Sequence, residues 1–549
     1  MNAIKIKNSF TNLSHTLCLK FIKRSSLLEC SITGFNKLQK ELFMIGYPRD
    51  ENLELISPMG FLNRIEYSLD GILGTSGLFS GALLDLSNNF LSIFCDPSGN
   101  DCLYWYQDKE IVLIARDIDW VVKECGKTLE VDWIAWAEFL SLHYILGDKT
   151  YFQDIKSLEV QQIVTFDLNK MTFRKINKFW YLDSETKITN KSKVYNEIAD
   201  LFNEGIRKYS SQFDTINLAL SGGLDSRMLL SSFISHKKKI ISFTTDTDIG
   251  FDNDRVFASI CAKKFGIGNE YLELAPNWYE ETVDRYYELT CFESWYHVWF
   301  HGFLNNLPNL NNNPLITGND GDGLLRASHM PTKVGNYYEM FLQMNHTNFE
   351  PIFKPNINKN ILNLAFVGFE NDFQRYDGYQ ASVLFFRINN RSRRNIHWML
   401  RMGNNKGECF SGFQYPPFVT YILGLPNEIK FNPNLQFEVM NCLDPNLFDF
   451  PSTHTSMYEE FMITRVRKYN YATIEKFSKL LLDDSRLTNI DILESFLAKK
   501  IFNHFRNSDL NYYSKFVLIQ PIYLFAKWLE TYQNNINFNN ISESIFSND

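Results

Sequence analysis

Apolar and polar positions follow two different rhythms along this chain, and the change falls near residue 190. In GLFSGALLDLSNNFLSIFCDPSGNDCLYWYQDKEIVLIARD (77–117), short apolar runs alternate with turn clusters such as Ser-Asn-Asn and Pro-Ser-Gly-Asn, the punctuation of β-hairpins. AWAEFLSLHYIL (135–146) has helical texture, and VQQIVTFDLNKMTFRKI (160–176) predicts a further hairpin. The first part is therefore expected to be a layered α+β unit.

Beyond the change, VYNEIADLFNEGIRKYS (194–210), RMLLSSFISH (227–236) and DRVFASICAKKFG (254–266) carry helical spacing. TINLAL (215–220), KIISFTT (239–245) and EYLEL (270–274) are short apolar runs between them and predict strands. Strands separated by helices imply a parallel sheet with right-handed crossovers. After residue 340 the pattern is mostly helical, NNLPNLNNNP (305–314) is expected to be a loop, and no internal repeat is present. The expected fold class is α/β, with the α+β layers first, the parallel sheet next and a helical C-terminal part.

At 549 residues the chain is long enough for more than one domain, and two are expected: 1–183 and 184–535, with 536–549 as a tail. A hydrophobic fraction of 45%, with 47 Phe and 27 Tyr, supplies ample core. The net charge of −8 and the lack of long Lys/Arg runs argue against nucleic acid as a partner. No stretch has the ~18 consecutive apolar residues of a membrane span, and the start has no signal-peptide pattern, so the expected location is cytoplasmic, without a membrane partner. Nine scattered cysteines contain no C-x-x-C pair and are expected to be reduced core residues.

The chemistry is concentrated in LALSGGLDSRMLL (218–230), where a strand meets a helix. Ligands of parallel sheets sit beyond the carboxyl ends of strands. Gly222 and Gly223 let the backbone approach an anion, the helix N-terminus offers N–H groups, and Ser221 and Ser226 add hydroxyls. That is a phosphate cradle, although neither a Walker A loop nor G-x-G-x-x-G. Asp225 would repel phosphates unless a divalent cation lay between, so the bend calls for Mg2+ with a polyphosphate.

SGGLDS resembles the pyrophosphate loop of the N-type ATP pyrophosphatases, and its setting resembles the asparagine synthetase family. LITGNDGDGLL (315–325) is similar to that family's second phosphate and Mg2+ segment. YPPFVTYILGLPNEIKF is similar to its Pro-Phe-Leu-Asp segment, and the first half to its amidotransferase domain. The resemblance implies an N-terminal Ntn-hydrolase-like sandwich and a synthetase domain that uses ATP to adenylate a carboxylate for capture by an amine or ammonia. It implies Mg2+ on Asp225 and Asp322, and pyrophosphate on Ser221, Gly222, Gly223 and Ser226. Leu220, Thr245, Thr317 and Gly318 would line the nucleotide.

The chain departs from the family at four places. Asn2 stands where glutamine-dependent members have a nucleophilic Cys, and an amide cannot replace a thiolate, so glutaminase activity is not expected. Asn319 and Asp320 occupy the position after Gly318 and its neighbour, where substrate contacts are expected. Ser452 follows Pro451 where the family places Lys, leaving a cation to be supplied by Arg227 or by Arg391, Arg393, Arg394 or Arg401. Thr420 replaces the closing Asp. His297, His397 and His454 are expected to be core or surface histidines.

Loss of the glutaminase is shared with β-lactam synthetase, carbapenam synthetase and the lasso-peptide cyclases, so a small-molecule or peptide carboxylate, and partner proteins of a biosynthetic cluster, are the expected partners. The alternatives are a nucleotide-binding or partner-binding pseudoenzyme, or a tRNA-modifying enzyme with the same loop. The acidic charge balance disfavours the last.

Overall fold

The computed structural model describes residues 3–11, 14–22, 29–32, 40–177, 181–186, 188, 190–245, 253–275, 278–310, 313–326, 330–331, 335–345, 355–449, 452 and 512–537. Asn2, Pro451 and His454 lie outside the described residues.

Up to residue 177 the strands other than Leu129–Glu130 form two antiparallel sheets. The five-stranded sheet runs in the order Ile155–Ser157, Tyr104–Gln107, Ile111–Ala115, Ala3–Thr11, Ser14–Ile22. The six-stranded sheet runs in the order Thr172–Asn177, Gln162–Asp167, Phe90–Cys95, Ser76–Asp85, Lys40–Arg49, Glu29–Ile32. Strand alternation gives each sheet two apolar faces. Phe43, Ala82 and Ile93 of one sheet meet Trp105, Val112 and Ile114 of the other. On the far side of the six-stranded sheet, Leu42, Met44 and Phe79 pack on Phe61, Leu62 and Ile65 of helix Pro58–Ile65. Tyr104, Tyr106 and Leu113 face the helices Ile118–Glu124 and Trp133–Leu142 from the five-stranded sheet. The expected α+β layers are thus a helix–sheet–sheet–helix sandwich.

The second sheet system is parallel, with strands β1 (Thr215–Ala219), β2 (Lys239–Thr245), β3 (Gly268–Leu272), β4 (Leu315–Thr317) and β5 (Cys409–Ser411) in the order β3-β2-β1-β4-β5. Helix α1 (Leu224–Ser235) follows β1, α2 (Asn253–Lys264) follows β2, and the short α3 (Gly321–Leu325) follows β4. The chain moves from β1 towards β2 on one side and towards β4 on the other, so the switch point lies between β1 and β4. In open α/β sheets that crevice is where ligands bind. Helices dominate from residue 355 to 449, as expected, and include a π-helix, Ile388–Ile396. Ile536–Asn537, at the start of the expected tail, pair with Leu129–Glu130 of the first unit. Among the described residues no helix is long and apolar enough to cross a membrane.

Of the seven cysteines whose side chains are described, six are buried and Cys442 is exposed; all seven are free.

Lys430, 1% exposed, gives a pH-dependent signature of this packing. Its ammonium donates to the carbonyls of Gln380 and Leu423. Burial pulls its pKa down to about 8 from 10.5. Between these values the unfolded chain holds a proton that the folded chain has lost, so stability rises with pH there. Relative to Lys430→Met, the wild type should gain roughly 2–3 kcal/mol between pH 8 and 10.5, read from denaturant midpoints. An unchanged difference between the two proteins would show the amine to be solvated.

Candidate active site

The turn after β1 is held by its own side chains. Leu220 is buried, its N–H bonded to the Phe243 carbonyl at 2.9 Å. Ser226 Oγ receives the Ser221 N–H at 3.2 Å and lies 3.1 Å from Ser221 Oγ, which in turn receives the Gly223 N–H at 3.1 Å. Gly223 caps α1 in extended backbone without a side-chain cap, so first-turn N–H groups are left facing the crevice. The Gly222 N–H is bonded by a carboxylate of this same chain, Asp254 Oδ1 on α2, at 2.7 Å. An anion already suits this position, consistent with a nest of main-chain N–H groups.

The segment after β4 lies directly against this turn. A Cβ on Gly321 would come within 2.7 Å of the Asp225 Cγ, and one on Gly318 within 3.0 Å of the Asp225 Cβ. Glycine is required at Gly321 because a side chain there would displace the carboxylate. Asp225 and Asp322 consequently face one another, both partly buried. Burial, and then the charge of Asp322, push the Asp225 carboxyl above its usual range, while Gln436 donates to its Oδ1. Asp322 is held below the usual range against the effect of burial, by Arg387, Arg391 and Arg326 in that order. The Arg387 guanidinium, 1% exposed, is 3.5 Å from Asp322 and 3.6 Å from Asp320. It lies so close over Gly323 that a Cβ there would sit 1.8 Å from its Cζ.

The other expected residues have varied placements. Thr317 is 3% exposed at the end of β4, its hydroxyl without a hydrogen-bond partner among the described residues. Thr245 ends β2 with its hydroxyl donating back to Leu272 O at 2.7 Å. Asn319 is tethered to the end of the π-helix, its Nδ2 3.4 Å from Ile396 O, while its own carbonyl accepts from Ser411 Oγ at 2.6 Å.

Two expected residues are engaged by the protein itself. Asp320 is 6% exposed, in left-handed backbone (φ 70°), and both of its carboxylate oxygens have protein partners. Ser392 Oγ donates to Oδ1 at 2.7 Å, and His397 Nε2 and Gln414 Nε2 reach Oδ2 at 2.8 and 2.9 Å. Despite burial, His397, Arg387 and Ser392 hold this carboxyl far below the usual range, and Asp320 raises His397 in return. Arg227, expected to face phosphate, bonds main-chain carbonyls. It is 1% exposed beneath the loop, donating to Gly222 O at 3.2 Å and Leu447 O at 3.4 Å, so it braces the turn from behind.

Of the other arginines offered by the sequence, Arg393, Arg394 and Arg401 are buried towards the first unit. Arg391 remains on the Asp322 side, its Nη1 buried without a hydrogen-bond partner among the described residues. Arg387 opens the stretch RINNRSRRNIHWMLR, but spacing alone does not single it out. Gln436 and Asp254 carry no signal beyond their positions in helices, Leu435–Leu443 and α2.

A family model described as a glutamine amidotransferase domain matches residues 65–180, and one described as asparagine synthase matches residues 197–294. A putative glutamine-hydrolyzing asparagine synthetase of Methanocaldococcus jannaschii is 22% identical over 241 residues, 43% of this chain. The chain spans 44% of the length of that relative. A solved glutamine-dependent NAD+ synthetase from Acinetobacter baumannii, in complex with ADP, aligns over 32% of this chain and 33% of its own at 16% identity, with a TM-score of 0.20. The two domain matches, in this order, and the curated relative make the chain similar to the asparagine synthetase family over these residues.

Proposed function

We propose that this protein is an ATP-dependent ligase that activates a carboxylate as its adenylate and joins it to an amine or ammonia. The observation that carries the reading is the meeting of Asp225 and Asp322 across the switch point, beside a turn whose N–H groups already hold a carboxylate. Two neighbouring carboxylates, one with its proton affinity raised by burial and then by the other's charge, are a donor set that suits a divalent cation shared with phosphates. Asp225 and Asp322 would hold Mg2+, which when bound supplies charge neutralisation on the leaving pyrophosphate.

The chain's own residues do the rest. Pyrophosphate would take the place of Asp254 on the Gly222 N–H and draw on the Gly223 N–H and the Ser221 and Ser226 hydroxyls, which now bond within the turn, and Arg227 fixes that turn. Thr317 and Gly318 line the nucleotide side of the crevice, with Leu220 and Thr245 behind. Arg387 and Arg391 take the place of the family's Lys: they surround Asp322 with positive charge where Ser452, 2% exposed, offers none. Catalysis of this kind rests on positioning and on charge held ready for the transition state. Asn319, held by Ile396 O, can orient an acceptor but cannot take its proton, so the attacking amine must arrive neutral or lose its proton to substrate or water.

The reading is tested by product identity. Incubation with MgATP and panels of carboxylates and amines should release pyrophosphate with AMP, and glutamine should yield no glutamate above background. ADP as the nucleotide product would exclude adenylation, and steady glutamate release would restore a glutaminase to the first domain. A protein that binds MgATP yet turns over nothing would favour the binding-protein alternative, for which the replaced Lys and Cys positions speak.

A further inference from the structure

A second polar cavity lies away from the ATP crevice, at the junction of the sandwich and the helical part. Its walls come from Gly99, Asn100, Cys102, Tyr104 and Ser157 on one side and from Glu293, the π-helix and the helix after it on the other. The space open to the centre of a water-sized sphere is about 10 Å³, room for a single small occupant.

The wall is rich in donors and positive charge. Arg393, Arg394 and Arg401 line it, against Glu293 as the only lining carboxylate among the described residues. Arg394 is paired with Glu293, and Arg401 shares Asp101 with Arg116. Arg393 donates to the neutral oxygens Asn389 O, Ser157 Oγ, Leu158 O and Gly147 O and also meets the Cys102 sulfur and the charge of Glu159. Two further N–H groups, Arg394 Nε and Trp398 Nε1, are buried and have no acceptor among the described residues, in side chains 1% and 4% exposed. Buried donors without acceptors are costly, and here they share one cavity. The neighbouring Cys102 senses the same field: although burial works the other way, Cys95 and then Arg393, Arg401 and Arg394 pull its thiol below the usual range.

We propose that this cavity binds a small monovalent anion of about the size of chloride, which joins the sandwich to the π-helix. The charge excess favours an anion over water, and the volume excludes a carboxylate substrate or a phosphate. The site is independent of the ATP reading, since none of its lining residues belongs to the Asp225–Asp322 crevice.

The test is thermal unfolding of the full chain at constant ionic strength while sodium gluconate is replaced by sodium chloride, then bromide. The midpoint should rise saturably with chloride, on the order of 2 °C once chloride reaches ten times its dissociation constant. Trp398→Phe keeps an aromatic ring but removes one donor with the pyrrole part of the indole, and should weaken the chloride response about tenfold. Arg394→Gln should abolish the response. If that variant fails to fold, Trp398→Phe decides alone. Equal midpoints in chloride and gluconate, or a Trp398→Phe response identical to that of the wild type, would mean that the cavity holds water and would overturn the proposal.

Discussion

Asp225→Asn should cost on the order of 10²–10³-fold in Mg2+-dependent ATP turnover, and the folded protein should be no less stable for it. The two halves of this prediction have one cause. In the folded chain Asp225 faces Asp322, and both burial and the neighbour's charge oppose its ionisation. A neutral amide of the same shape removes that repulsion, so the denaturant midpoint should stay level or rise. The same change removes one of two carboxylates that a divalent cation would share with phosphates, and losing such a clamp costs several kcal/mol of transition-state stabilisation. Calorimetric titration with MgATP, alongside urea unfolding, checks both halves. Binding equal to that of the wild type would move the nucleotide site elsewhere. A large loss of stability would show that the carboxylate is a structural partner of Gln436, which donates to it.

The sequence is most legible where chemistry is written contiguously. The turn Leu220–Ser226 and the segment Thr317–Asp322 each follow a short apolar strand, and the rule that ligands sit beyond parallel strand ends brings the two together from their positions in the chain alone. The strands at 215–220 and 239–245 are readable because buried parallel strands are continuous apolar runs.

Less legible is everything that depends on a partner distant in sequence. Nothing local distinguishes Asp320, locked between Ser392, His397 and Gln414, from Asp322 two residues on, which is left at the crevice. The arginine cluster has near-helical spacing, but Ile388–Ile396 is a π-helix, which changes the face each side chain presents. Arg393 and Arg394 therefore reach Gly147 in the sandwich, while Arg387 stays beside Asp322. Arg227 differs from expectation for a related reason: its position on the first turn of α1 is plain in the sequence, but the carbonyls of Gly222 and Leu447 that turn it inward are not.

Asp320→Asn should be the most destabilising conservative change in this region, at about 3–5 kcal/mol, because it breaks a buried ion network from its centre. The carboxylate is the counter-charge of His397, 1% exposed at 2.8 Å, and lies 3.6 Å from the buried Arg387 guanidinium. An amide leaves His397 without its anion and Arg387 with Asp322 alone, and it turns an N–H group towards a donor already placed to give, Ser392 Oγ on one side or Gln414 Nε2 on the other. The damage should spread to the sandwich, because Gln414 also exchanges two 2.8 Å hydrogen bonds with Asn100 and because His397 Nδ1 lies 3.4 Å from Gly99 O. Asn100→Ala should therefore reproduce part of the loss. In a double-mutant cycle the two changes should fall short of additivity, since each disturbs the same chain of bonds. Urea unfolding gives all four free energies. If Asp320→Asn unfolds at the wild-type midpoint while ATP turnover falls, the residue belongs to the reaction after all, and the network around it is only its holder.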